Sequence, residues 1–304
     1  MIIKEVNYEN YGKCLSISNG IMEVYVTIDL GPRIIKCNLC GKENLMFNDL
    51  ARGISNDVSE GFGNGKTWYI YGGHRMWVSP ENLPLTYYPD NEKVSYTITN
   101  TGAIFTPPVQ KVNDLQHEIE IVMECNKAKM DVIHRLTNIG CKNVIGAIWA
   151  LSVMREDGVC VVPQPQNDTG LLSNRVFSIW AYTDMSDERV FWGEKYIAVK
   201  QTSNDRKFKF GINNIESWIA YINKDQALVK CYSPNHLDGN YPDYGVSTEV
   251  FTNEHFLEAE TLSELCDIEP TETITHVETW KLVDNVQKPE FNNKSLEEIS
   301  NKLT

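Results

Sequence analysis

The stretch His117–Cys125, HEIEIVMEC, alternates strictly: Ile119, Ile121 and Met123 point one way, and Glu118, Glu120 and Glu124 mostly the other. A period of two marks a β-strand with one buried face. A second strand, Lys129–Thr137, follows and stops at the turn signal Asn138-Ile139-Gly140. Next comes Val144–Met154, VIGAIWALSVM, which is almost wholly apolar, as a strand covered on both faces must be. Working outward, Ile21–Ile28 and Lys93–Thr99 alternate as well, and further strands are predicted at 196–201, 217–222, 227–232, 247–252, 256–262 and 276–283. Short strands at this spacing with turns between them fit an all-β, large antiparallel sandwich. The one helix-length amphipathic pattern is the tail at 295–303, where Ser295 and Glu298 have the spacing of a capping box. No composition break divides the chain. The expectation is one β domain over 1–285 and a polar, helical C-terminal extension over 286–304.

Composition bounds the partners. With 42% apolar residues among 304, the chain can bury a sizeable core. Its net charge of −13 disfavours nucleic acid and anionic membrane surfaces. No apolar run approaches the roughly 18 residues that span a bilayer, and residues 1–13 do not read as a signal peptide. The eight cysteines are expected to be reduced thiols in a cytoplasmic protein. Cys37 and Cys40 form a CxxC, but no second pair is visible for a zinc site, so they read as strand-end residues. An acidic chain with 14 Tyr, 7 Trp and 10 Phe suits a neutral, hydroxyl-bearing ligand. No cofactor and no metal are expected, although a calcium ion on Asp184 and Asp187 is conceivable without an EF-hand pattern. The chain is expected to be a monomer or homodimer.

Two segments concentrate the chemistry. Residues 69–91, YIYGGHRMWVSPENLPLTYYPDN, read as a long irregular loop with three prolines. They supply His74, Arg75, Trp77, Glu81 and Asp90, and an aromatic platform beside polar groups is what a sugar ring needs. Residues 241–262 supply Asp243, Glu258 and Glu260. In an extended strand, Glu258 and Glu260 share a face about 7 Å apart. At an effective dielectric near 20, two like charges at that distance repel by roughly 2.4 kcal/mol, enough to separate them into a proton acceptor and a weaker acid. Arg33, Tyr182 and His236 are further candidates for the same site. His134 lies on an apolar face and reads as a core residue, and His276, Glu278, Trp280 and Leu282 share one strand face.

These residues carry a resemblance. Leu30-Gly31-Pro32-Arg33-Ile34-Ile35, Tyr71-Gly72-Gly73-His74-Arg75-Met76-Trp77 with Pro80-Glu81, and Tyr88-Pro89-Asp90-Asn91 belong to the set. So do His134-Arg135-Leu136-Thr137-Asn138, Trp180-Ala181-Tyr182-Thr183-Asp184, Tyr241-Pro242-Asp243-Tyr244-Gly245, Phe256–Leu262 and Glu278-Thr279-Trp280. Together they resemble an uncharacterised bacterial family of the galactose mutarotase-like (aldose 1-epimerase-like) superfamily, over about residues 20–285. The resemblance implies a β-supersandwich with a sugar-binding cleft. It also implies a strategy in which a late glutamate takes the anomeric hydroxyl proton and a histidine protonates the ring oxygen. Glu260 matches the base best and Glu258 second, and His74 and Arg75 look like cleft residues. The strand that carries the acid histidine in mutarotases corresponds to Val144–Met154, which has none, so the acid is expected from His74, His236 or a protonated carboxyl. The expected ligand is a small sugar or oligosaccharide. The alternatives are a silent sugar binder on this fold, or a polysaccharide hydrolase or lyase that uses a partner such as Asp90 or Glu81. Phosphorylated sugars are a weaker expectation, resting on Arg33, Arg75 and Arg189.

Overall fold

A computed structural model describes residues 1–233 and 239–304. Among these, two large antiparallel sheets, of 11 and 10 strands, face each other. The middle of the first sheet runs in the order Ile34–Leu39, Gly73–Ser79, Val144–Met154, Leu257–Leu262, Thr248–Thr252, Phe208–Ile212, Phe177–Ile179. The second contains Val159–Pro163, Trp218–Asn223, Gln226–Cys231, Thr273–Asp284, Lys129–Asn138 and Leu115–Met123 as successive neighbours. The core lies between the sheets. Met76, Ile148, Leu257 and Ala259 from the first meet Ile119, Ile121, Met130, Val132, Leu228 and Trp280 from the second. Each fully buried Leu or Ile stabilises this arrangement by about 1.5–3 kcal/mol.

The alternating strands fall where their pattern places them, and Val144–Met154 is central and buried on both sides. Others carry no alternation to read. Val159–Pro163 and Phe208–Ile212 are buried at every position, so both of their faces are selected for burial. The stretch 69–91, read as a loop, contains the strand Gly73–Ser79, paired with Val144–Met154 from Ser79↔Ala147 to Gly73↔Val153. Its alternation is real but hidden, because the residues on both faces, His74 and Met76 on one, Arg75 and Trp77 on the other, are mostly buried. Gly72 and Gly73 enter this strand at φ +99° and +67°. A Cβ at Gly72 would lie 2.1 Å from the Phe47 carbonyl oxygen and one at Gly73 2.4 Å from that of Ile34, so only glycine lets the strand start here.

The C-terminal helix spans Asn293–Leu303 and buries Leu296, Ile299 and Leu303 against Val159, Ala198 and Trp218. Its cap is Asn292, whose side chain accepts the Ser295 N–H at 2.8 Å. Ser295 is therefore inside the first turn, and its hydroxyl instead accepts the Glu290 N–H. Asn292, a favoured N-cap residue lying before Ser295, satisfies this orphan donor.

All eight cysteines are free, with Cys37 buried and Cys40 exposed. Asp184 accepts from Ser186 and Asp187 pairs with Arg189 at 2.7 Å, so both candidate calcium carboxylates are already engaged within the chain.

Candidate functional site

On the outer face of the first sheet, four strands, the first separated from the other three by Val144–Met154, place charged side chains near one another. Gly73–Ser79 contributes Arg75 and Trp77; Leu257–Leu262 contributes Glu258 and Glu260; Thr248–Thr252 contributes Glu249; Phe208–Ile212 contributes Lys209. Glu249 stands directly across from Glu260 in the ladder. Arg75 Nη2 donates to Glu258 Oε1 at 3.1 Å, and its guanidinium lies 4.1 Å from the Trp77 ring centre. Lys209 Nζ lies 3.2 Å from Glu260 Oε2 and 2.7 Å from Glu249 Oε2. The Lys209 ammonium sits between the Trp149 and Trp180 rings, 4.5 and 4.6 Å from their centres. Trp149 Nε1 donates to Glu260 Oε2 at 2.7 Å. Glu260 Oε1 and Arg75 Nη1 are buried without a hydrogen-bond partner.

Three carboxyl groups thus face two cations in a buried setting. Burial pushes the Glu249 carboxyl well above the usual range, against the pull of Lys209. Burial also pushes Glu258 up, with Arg75 opposing and Glu260 assisting. Burial works against the Lys209 ammonium, but Glu249 and Glu260 outweigh it and hold its pKa above that of an ordinary lysine. Glu249 and Glu258 therefore hold a proton more tightly than an ordinary glutamate does, a bias that acid–base work at one centre can use.

The walls are aromatic. Trp77 packs edge-on to Tyr87 and Trp149. Tyr87 donates to Glu81 Oε1 at 2.6 Å. Tyr182, 45% exposed, stands edge-on to Phe251. Asp243 holds φ +51° beside the strained Tyr244, and its carbonyl accepts from Ser178. Of the predicted residues, Arg75, Trp77, Glu258 and Glu260 meet in this cluster, with Glu81 and Tyr182 at its rim. Asp243 lies on the loop near Glu249.

Others lie elsewhere. Arg33 and Asp90 pair with each other at 2.5 Å and line a separate small cavity of about 40 Å³ with His117, room for water rather than a sugar ring. His236 falls outside the described residues. His74 is fully buried on the opposite side of its strand from Arg75, between the sheets. Lys209 and Glu249 were not singled out from sequence. A lysine inside the apolar FKFGI run was the available signal of a buried cation.

His74 belongs to a second polar cluster, inside the sandwich. His134 Nδ1 lies 3.0 Å from the His276 carbonyl oxygen and must donate to it. Neutral His134 then accepts at Nε2 from His74 Nε2, 2.7 Å away. His74 Nδ1 in turn accepts from the Ser152 hydroxyl at 2.8 Å. Lys230 Nζ reaches Ser152 Oγ at 3.0 Å, the Ala259 carbonyl at 2.8 Å and Glu278 Oε1 at 2.8 Å. Glu278 also accepts from Thr261 and Trp280. His74, His134 and Glu278 bring three donor atoms within 4.8 Å of one another, a metal-like grouping. The residues do not fit a cation: the Lys230 ammonium already occupies Glu278, and the histidine nitrogens satisfy each other.

This cluster sets a pH dependence. Burial holds His74 and His134 below the usual imidazole value of 6.5, His117 down to about 4 and His276 down to about 3. The unfolded chain takes up protons below pH 6.5 that the native protein refuses, so stability falls as pH drops through that window. Glu249 and Glu258 act in the opposite sense above their unfolded value, because the native state keeps their protons. Four groups against two leave a net loss of roughly 3 kcal/mol per pH unit where all six are fully unequal between the two states. The urea midpoint is expected to be lower at pH 5 than at pH 7; a higher midpoint at pH 5 contradicts this.

No protein-family model matches the chain, and no curated protein does. Solved structures do match. A TPR-domain containing protein from Parabacteroides distasonis aligns with TM-score 0.61 and 13% identity over 91% of this chain. That alignment covers 48% of the other protein, so this chain spans about half its length. A Klebsiella pneumoniae protein described as a candidate aldose 1-epimerase aligns with TM-score 0.60 and 12% identity, over 99% of this chain and 86% of that one. A galactose mutarotase-like protein from Lactobacillus casei aligns with TM-score 0.56 and 9% identity, over 89% and 100%. The fold is the galactose mutarotase-like fold, a large antiparallel β-sandwich with a short C-terminal helix.

Proposed function

We propose that the chain binds a neutral sugar over the Arg75–Glu258 pair and exchanges its anomers. The observation that carries this reading is the set of three buried carboxyls facing two cations beneath Trp77 and Tyr182. The anomeric hydroxyl and the ring oxygen are attached to the same carbon. Two carboxyls on one strand face, about 7 Å apart by strand geometry, reach both from one side. Glu260, with a free oxygen, takes the proton from the anomeric hydroxyl. The bond between the anomeric carbon and the ring oxygen breaks, and Glu258 gives its proton to that oxygen. The open-chain aldehyde rotates and recloses with the proton transfers reversed, so the sugar is isomerised with no net change in either carboxyl. Trp77 offers a face for the ring, and Arg75 holds Glu258 in place. This assignment removes the need for a histidine acid on Val144–Met154.

One observation favours a second reading, sugar binding without turnover. Glu260 is fully covered, whereas Glu258 retains 8% exposure. Turnover therefore requires the Trp180–Tyr182 segment, which roofs Lys209, to move aside when the sugar enters. The two readings separate in one sample: saturation transfer from protein to sugar reports binding, and anomer exchange reports turnover. Binding with no acceleration of exchange would leave only the second.

A further inference from the structure

Beyond the carboxyls, a cavity that touches the site opens beside Trp77. It measures about 440 Å³, within the roughly 300–1,000 Å³ of small-molecule sites. Trp77 is a shared wall: one side of the cavity ends on its indole, and the same ring stacks with Arg75 and meets Trp149, the partner of Glu260. Glu81, at the rim of the carboxyl site, lines the cavity too.

Two observations indicate that the cavity is built for a ligand. Ser79 and His117 are among its lining residues, their side chains are 1% and 6% exposed, and Ser79 Oγ and His117 Nδ1 have no hydrogen-bond partner. Buried polar atoms left unpartnered are costly and rare, and they point to a group that completes them. The lining also offers the amides of Gln110 and Asn113; the Asn113 amide donates to the Gln110 side-chain oxygen at 2.9 Å, a bond that does not use the Gln110 amino group. Asn82 and Thr86 add further polar groups, and the remainder of the lining is aliphatic. No lysine or arginine lines the cavity, and its one charge is the negative Glu81. A phosphate or carboxylate ligand finds no counter-charge there, whereas a hydroxyl can both donate and accept at Ser79, His117 and Gln110. Burial lowers the His117 pKa to about 4, so the imidazole is neutral near pH 7 and adds no positive charge.

We propose that this cavity is a subsite for a second, neutral sugar residue, so that the preferred ligand is an oligosaccharide whose reducing-end ring lies over Arg75 and Glu258. The inference rests on the sugar-binding reading above and adds the substrate class. Trp77 then stands between two adjoining rings, and Ser79, His117 and Gln110 read the hydroxyls of the second.

The test uses the full chain and defined probes: glucose and galactose, and the disaccharides maltose, cellobiose and lactose that carry glucose at the reducing end. Dissociation constants are read by titration calorimetry or saturation transfer. At least one disaccharide is expected to bind about fivefold to tenfold more tightly than glucose, the contribution of one or two net hydrogen bonds. In Gln110→Ala, and in Ser79→Ala as a second variant in case one fails to fold, the ratio of disaccharide to glucose affinity is expected to fall toward one. A glucose affinity equal to that of every disaccharide overturns this inference and leaves the sugar-binding reading standing. A ratio that survives both variants overturns it as well. Failure of both monosaccharides and disaccharides to bind overturns both readings.

Discussion

Glu260→Gln is expected to slow anomer exchange by about a hundredfold to ten-thousandfold, the usual contribution of a positioned general base, while sugar binding stays measurable. The substitution keeps the shape and the acceptor for the Trp149 indole N–H, 2.7 Å away in the native protein. Lys209 keeps Glu249 as a partner at 2.7 Å, so the buried ammonium is not abandoned. What disappears is the basic oxygen. Glu258→Gln removes the acid instead. It is expected to slow exchange too and to remove the limb of the pH–rate profile that reports a protonated carboxyl. Exchange at the native rate in Glu260→Gln would show that the base is elsewhere, and Glu258 would be the next group to test.

The largest effect on stability is expected from Lys230→Met. It leaves Glu278 buried between the sheets without its cation, and breaking such a pair costs about 3–5 kcal/mol. Glu278 is held well below the ordinary glutamate range; burial opposes its charge, but the Lys230 ammonium outweighs it. Replacing both partners with apolar residues of similar volume, as in Lys230→Met with Glu278→Met, removes the unpaired charge. The double variant is therefore expected to be more stable than the single one. Urea titration of the two proteins decides it: a double variant no more stable than Lys230→Met contradicts the account of a charge left uncompensated. The consequence reaches the site. Lys230 holds the Ala259 carbonyl, and Glu278 accepts from Thr261, the two residues that flank Glu260 on its strand. One face of Leu257–Leu262 presents carboxyls to the cleft, and the other is clamped to the second sheet.

How much of this is legible in the sequence depends on which face a residue lies on. Strands with one wet face, such as Leu115–Met123, announce themselves by alternation. The resemblance carried the sandwich architecture that alternation alone leaves general. Glu258 and Glu260 share a face because a strand has period two, and the sequence suffices for that. It does not suffice for Gly73–Ser79, where buried Arg75 and His74 disguise a central strand as a polar loop. Nor does it tell on which side of that strand His74 lies, because strand register depends on partners far along the chain, here Ser152 and His134. Lys209, Glu249 and Lys230 each look like an isolated charge in a strand. Only the folded sheet shows that each has an opposite charge within 3 Å. Arg33 and Asp90, expected among the ligand contacts, pair with one another instead.

The most direct measurement is proton NMR on freshly dissolved single anomers of glucose, galactose and other aldoses, with and without the protein, followed as they equilibrate. The account predicts saturation transfer to at least one sugar together with faster equilibration of that same sugar, and the acceleration lost in Glu260→Gln. Binding with an unchanged rate would contradict the catalytic claim and leave a sugar-binding protein. The absence of both binding and acceleration with every sugar would contradict the site itself.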